Sequence, residues 1–277
     1  MDSAALRVAP ISLSEPVAWR RAAAREVAGV VAASAMQPRP PAATIATGIA
    51  QVDALTQGLP RGALTEIFGP ASSGRTSLML SVLAQATARG EACALIDATD
   101  SFDPESAVGV DLKRVLWVRC GKEVSSFSFL VSRRTEDVSG EKRETRNEKL
   151  TPVERALKAA DLLLQAGGFG LVVIDLGDVP PRTARRVPLT SWFRFRRAVE
   201  HTPTALVAIE EEPFAKSAAA LVLKMSSVIG RRSSAKPLPR HARLLTATEI
   251  SVEVVRAVAE QRKPARAVSF ETRAQWA

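Results

Sequence analysis

The run Gly69-Pro70-Ala71-Ser72-Ser73-Gly74-Arg75-Thr76 leaves this chain the fewest folding options. An apolar strand, Ala63-Leu64-Thr65-Glu66-Ile67-Phe68, enters it, and a helical pattern starting Ser77-Leu78-Met79-Leu80 leaves it. The spacing Gly69-x-x-x-x-Gly74, then a basic residue and Thr76, is that of a phosphate-binding P-loop. Its glycines let backbone N–H groups converge on an anion at a helix N-terminus. One position departs from the motif, because Arg75 stands where a Lys is expected. Lys is a compact point charge and Arg a longer planar fork, so the exchange changes what the loop does to a phosphate. The shape predicts phosphate binding, and Arg75 argues against efficient hydrolysis.

The P-loop helix is expected over about Thr76 to Arg89, Gly90 stops it, and Ala92-Cys93-Ala94-Leu95-Ile96-Asp97 reads as a buried strand. Strand, helix and strand in such quick succession make a βαβ unit, which demands a parallel sheet. Short apolar runs recur at Val115–Arg119, Leu171–Asp175, Ala205–Ile209 and Leu221–Met225, with helical stretches at about Val153 to Gln165 and Leu189 to Glu200. Such runs fit a sheet covered on both faces. A later run, Glu249 to Arg256, alternates and reads as a partly exposed strand. The fold class is therefore α/β with a mostly parallel central sheet. Leu171-Val172-Val173-Ile174-Asp175 also ends in the acid that P-loop ATPases use to hold Mg²⁺.

Residues 1–41 read as an arm ahead of a core spanning 42–272, with 273–277 as a tail. In the arm, Met1 to about Leu13 is unstructured, and Ser14-Glu15-Pro16 starts a helix running to about Ala35. Its narrow Ala/Val stripe suits docking on its own core or on a neighbour. Pro38-Arg39-Pro40-Pro41 then makes a stiff linker. Ser132 to Leu150 is charged with almost nothing apolar, which predicts a mobile insertion. The net charge of +9 is clustered: six arginines lie between Arg182 and Arg197 with no acid, and from Arg231 onward ten basic residues face four acidic ones. Such clustering favours nucleic acid or an acidic protein partner. Cys93 and Cys120 sit in apolar runs and read as buried thiols of a reducing compartment. His201 and His241 lack companions at metal-ligand spacing. No apolar run approaches the roughly 18 residues that cross a bilayer. A cytoplasmic protein without membrane partners is expected.

Several of these segments together resemble the ATPase core of the bacterial RecA recombinase family. They are Thr47-Gly48 through Leu59-Pro60-Arg61-Gly62, the Gly-Pro-x-Ser-Ser-Gly loop, Ile96-Asp97-Ala98, Phe102-Asp103-Pro104, and the late stretches Val252–Arg256 and Phe270-Glu271-Thr272. The resemblance implies nucleotide binding by Gly69, Pro70, Ser72, Ser73, Gly74, Arg75, Thr76, Ser77 and Asp103, with ATP and Mg²⁺ as cofactors. Thr76 and Asp175 would then hold the metal. It also places a first DNA-contacting loop at Arg182, Arg185 and Arg186, facing single-stranded DNA, and makes an N-terminal helix a docking element between protomers.

The departures from that family carry the functional reading. Thr99 falls where the family has its catalytic Glu, and Thr is no general base at neutral pH; Asp100 is the adjacent substitute. Ser106 falls where an adenine-stacking aromatic belongs. Glu210-Glu211-Glu212 replaces the γ-phosphate sensor with charges that would repel a phosphate, and the DNA-binding loop after it is too short to exist. Trp192 and Phe195, at helical spacing with Val199, read as packing. Val187-Pro188-Leu189-Thr190-Ser191-Trp192-Phe193-Arg194 and the shortened loop resemble ImuA-type proteins, RecA-fold relatives from mutagenic repair cassettes. That likeness implies an SOS-response adaptor for translesion synthesis, its partners being polymerase components or RecA-like protomers, in homo- or hetero-oligomers formed through the arm. The alternative is a divergent recombinase that binds ATP and single-stranded DNA in homologous recombination. A P-loop module unrelated to repair is a third reading, which the arginine cluster argues against.

Overall fold

In the computed structural model the described residues are 43–121, 150–228, 247–257 and 267–273. The expected arm helix, its proline linker, residues 132–149 of the charged insertion and residues 274–277 of the tail lie outside them. Ten strands and five helices appear in chain order among the described residues: β1 Thr44–Ile45, α1 Ala50–Thr56, β2 Leu59–Pro60, β3 Ala63–Phe68, α2 Arg75–Ala88, β4 Cys93–Asp97, β5 Val115–Arg119, α3 Pro152–Ala166, β6 Leu171–Asp175, α4 Pro181–Ala184, α5 Leu189–Val199, β7 Ala205–Glu210, β8 Leu221–Val228, β9 Ala247–Ala257 and β10 Ala267–Arg273.

Eight of the strands form one sheet in the order β10-β9-β8-β3-β7-β6-β4-β5. From β8 to β5 every pairing is parallel, and β9 and β10 close the sheet in antiparallel register. The central strands are apolar on both faces because both faces are covered. On one face Ile67, Leu95, Val173 and Ile209 pack with Leu78, Met79, Val82 and Leu83 of α2. On the other, Leu64, Ile96, Ile174 and Leu206 pack with Ala156, Ala160 and Leu164 of α3 and with Trp192, Phe195 and Val199 of α5.

Local chemistry sets the ends of these elements. Thr151 and Glu154 form a reciprocal capping box at the start of α3, with Pro152 in the first turn. Gly90, at φ +81°, ends the run after α2. Trp192 and Phe195 are fully buried and meet edge-on, which bears out their reading as packing. Cys93 and Cys120 are buried thiols, and burial pushes them up to about 12 and about 11. Strand β9 is longer than its sequence pattern predicts. A bulge opposite Val222 and Leu223 interrupts its ladder, and Val255 is exposed.

The topology fixes where a ligand belongs. Chain leaving β3 crosses on the α2 face, while chain leaving β6 returns to β7 through α4 and α5 on the opposite face. The carboxyl ends of β3, β7 and β6 therefore border a crevice, the usual binding position in open α/β sheets.

Candidate functional site

The loop joining β3 to α2 has the backbone its spacing predicts. Ser72 and Gly74 both sit in the left-handed region, at φ +61° and +91°. A Cβ on Gly69 would lie 2.2 Å from the Met225 carbonyl oxygen, and one on Gly74 would lie 2.3 Å from Cδ1 of Ile250. Both positions are thus closed to any side chain without movement. Ser73 is buried, and its Oγ makes no hydrogen bond among the described residues. Pro70, Ser72 and Thr76 are exposed along the rim, and Ser77 is half-buried in the first turn of α2. An orphaned hydroxyl inside a loop that excludes Cβ atoms fits a phosphate oxygen as ligand.

The metal half of such a site does not fit in the same way. Arg75 is buried, and its Nη1 donates to the carbonyl oxygen of Gly177 at 3.1 Å. Asp175, at the end of β6, accepts the Gly177 N–H at 2.9 Å through Oδ1. Burial pushes its carboxyl up to about 6, with Asp97 and Asp178 adding to the rise, while the Gly177 N–H and Arg75 oppose it. A guanidinium therefore lies near Asp175, held by the carbonyl of the same residue whose N–H the carboxylate accepts, and its charge opposes a divalent cation there. Thr76 and Asp175 do not fit as a Mg²⁺ pair with Arg75 between the loop and Gly177.

The backbone around Thr99 is arranged by Asp97. Oδ1 of Asp97 accepts the N–H groups of Thr99 and Ser101, and Oδ2 accepts those of Phe102 and the Trp117 indole. Thr99 points its hydroxyl to Ser101. Asp100, the expected substitute base, has φ +58° and is engaged through the Gly121 N–H at 2.9 Å and the Arg119 guanidinium at 3.4 Å. A carboxylate so committed is poorly placed to take a proton from water. Asp103 caps the short turn Pro104–Ser106 by accepting from the Glu105 N–H, and Ser106 is exposed.

The acidic triplet after β7 behaves differently from its sequence expectation, and the expected repulsion of a phosphate by all three acids is corrected. Glu210 is buried and projects to the sheet face opposite α2. There it meets Glu66 of β3. Oε1 of Glu66 accepts the N–H groups of Phe214 and Ala215, both at 2.6 Å, and Oε2 of Glu210 accepts Phe214 at 3.0 Å. Burial, then the hydrogen bond to Glu66 and its charge, hold the Glu210 carboxyl well above the usual range. Glu212 is paired with Arg185, which leaves Glu211 as the exposed acid. The signal in sequence was a lone acid inside the apolar strand Ala63–Phe68.

Of the three candidate DNA-contacting arginines, Arg182 and Arg186 are exposed around α4, and Arg185 carries the 2.5 Å ion pair with Glu212. Two further arginines grip the connection from β7 to β8. Arg196 donates to the Ser217 carbonyl and Arg256 to that of Lys216. On the α2 side, Gly48, Gln51, Ser77, Ser81 and Phe270 border an open groove of about 620 Å³ next to the P-loop helix, which sequence reasoning did not anticipate. Among the described residues no helix is long and apolar enough to cross a membrane, and no cluster of His, Cys, Asp and Glu has a metal-binding arrangement.

The RecA N-terminal domain family matches residues 29–123. RecA of Cutibacterium acnes is 36% identical over 137 residues, covering 48% of this chain and 31% of that protein. RecA of Clavibacter michiganensis subsp. michiganensis is 37% identical over 141 residues, covering 50% and 31%. The chain thus spans less than a third of the length of these relatives. A RadB recombinase crystal structure aligns with 82% of this chain and 95% of its own at 16% identity and a TM-score of 0.49.

Proposed function

We propose that this chain is a RecA-fold accessory protein of the DNA-damage response, of the ImuA type, acting as a protein-binding adaptor in translesion synthesis rather than as an ATP-driven motor. The carrying observation is the Arg75 contact with Gly177 beside Asp175, which ties the nucleotide-side cation to the metal side of the site. Two others agree with it. The acids next to Thr99 are engaged, and only residues 211–220 join β7 to β8, pinned at Phe214 and Ala215 by Glu66. A long DNA-binding loop has no place there.

Partners would be polymerase components or RecA-like protomers in the cytoplasm, reached through the arm and the basic surface, with Arg182 and Arg186 free to meet DNA phosphates. The test is ATP turnover with and without single-stranded DNA, for the natural chain and for the pair Arg75→Lys with Thr99→Glu. Both are expected to be silent. DNA-stimulated turnover by the natural chain rejects the adaptor reading. The second reading, a divergent recombinase that binds ATP and single-stranded DNA, draws on the intact loop backbone; it predicts that the doubly restored variant gains turnover.

A further inference from the structure

We propose that the P-loop is a receptor for a phosphate anion that works without a divalent cation, Arg75 supplying the charge. The proposal rests on the adaptor reading in one respect: binding is kept and turnover is not.

Three features of the loop ask for an anion. The hydroxyl of Ser73 is 1% exposed and unpartnered, and it lies 2.8 Å from where a Cβ of Gly69 would be. A buried polar atom left this way is costly, and a ligand oxygen removes the cost. Helix α2 has 14 residues, and its N-cap, Gly74, offers no side-chain acceptor. No acid stands in the first turn, so the free N–H groups and the positive end of the helix are not neutralised from within. Finally, Arg75 is 7% exposed and donates to Gly177, the one hydrogen bond it makes among the described residues. Guanidinium has five donors in a fixed fork and keeps its charge when buried, which suits a phosphate in two-point contact.

The same residues argue against a metal. A Cβ on Gly177 would lie 3.0 Å from Asp175 Oδ1 and 3.4 Å from Arg75 Nη1, so carboxylate and guanidinium converge on one residue. A divalent ion approaching Asp175 meets a fixed positive charge, whereas a phosphate in the loop meets an attractive one. The chemistry recognised is the phosphate group, whether free or carried by a nucleotide.

The experiment is calorimetric titration of the full chain with pyrophosphate in EDTA, repeated in Mg²⁺, with adenosine as a separate arm. Pyrophosphate is expected to bind in EDTA and no more tightly in Mg²⁺, which competes for the same phosphate oxygens, and adenosine alone is expected to give no heat. Arg75→Ala should weaken binding by about tenfold or more, the scale of a lost charge-assisted pair. Ser73→Ala, a small buried change that leaves the circular dichroism spectrum intact, should weaken it several-fold. Binding that needs Mg²⁺ overturns the metal-free assignment while leaving the adaptor reading to the turnover assay. Absence of binding in both buffers, or adenosine binding without pyrophosphate binding, overturns the receptor itself. Full affinity in both variants does so too.

Discussion

Replacing Asp175 by Asn should stabilise the folded chain above neutral pH. The Asp175 carboxyl is pushed from 3.8 up to about 6, chiefly by burial. At about 1.36 kcal/mol per pH unit, that rise corresponds to about 3 kcal/mol. Because the folded value lies above the unfolded one, the folded state keeps a proton that the unfolded chain has already released. Stability from this group is therefore complete below about pH 4, falls through the window up to about pH 6, and is flat beyond it. Asn keeps an oxygen for the Gly177 N–H and removes the charge. Arg75 loses a nearby counter-charge in the exchange, so the net gain at pH 8 is roughly 1–3 kcal/mol, vanishing near pH 4. Urea unfolding of both chains at pH 4, 5, 6 and 8 measures it. A variant less stable than the parent at pH 8 refutes the reasoning, since Arg75 and Asp175 would then form a net favourable pair that burial does not outweigh.

Four more outcomes follow from other contacts. Gly74→Ala combines a left-handed backbone with the 2.3 Å approach to Ile250 Cδ1, a cost of roughly 2–4 kcal/mol, and Ile250→Val, which deletes that atom, should recover part of it in a double-mutant cycle; strict additivity would count against the contact. Since the folded-state proton affinity of Glu210 is raised, its contribution is lost as pH climbs, and Glu210→Gln, which stays uncharged, should flatten the fall in melting temperature expected for the parent as pH rises above the usual carboxylate range; an unchanged slope would count against the raised carboxyl. Trp192→Ala should cost about 3–5 kcal/mol in urea unfolding, given a ring with no exposed surface. If Arg182 and Arg186 touch DNA, replacing both with Ala lowers the slope of log affinity against log salt by roughly 0.7 per contact, and an unchanged slope excludes them.

What could be read from the chain depended on how local its cause was. Strands such as Val115–Arg119 and the P-loop helix declare themselves in consecutive residues, and the structure places them within a residue of expectation. Helix α1 and the β1–β2 pair did not, because α1 is only seven residues long and its entry is held by Asp53 accepting the N–H groups of Thr47 and Gly48. No periodicity marks such a contact. At the site, the loss of Lys at position 75 was legible, whereas the destination of the guanidinium, a carbonyl 102 residues further on, was not. Asp100 looked available for the same reason: nothing local announces that Gly121 and Arg119 engage it. The Glu66–Glu210 contact raises the Glu210 carboxyl and so weakens a negative charge that the sequence alone counts in full, and only the adjacency of β3 and β7 brings the two acids together.

The survival of the loop's shape is weak evidence for the survival of its chemistry, because the fold needs the shape on its own account. Gly69 cannot carry a side chain without displacing the backbone of β8 at Met225, nor Gly74 without displacing Ile250 of β9. Those two strands place Leu223, Met225, Ile250 and Val252 in the cluster that α2 packs into, so a loop without these glycines would cost packing whether or not a phosphate ever arrived. Position 99 has no such tie: Thr99 is half-exposed and touches Ser101, and Ser106 is exposed. The departures at Thr99 and Ser106 thus fall where catalysis or base stacking, not packing, would have constrained them, whereas Arg75 and Glu210 depart at buried positions and are held there by Gly177 and Glu66. On the adaptor reading such a chain keeps a surface for a phosphate without the means to cleave it, and the buried charge of Arg75 gives that surface its sign.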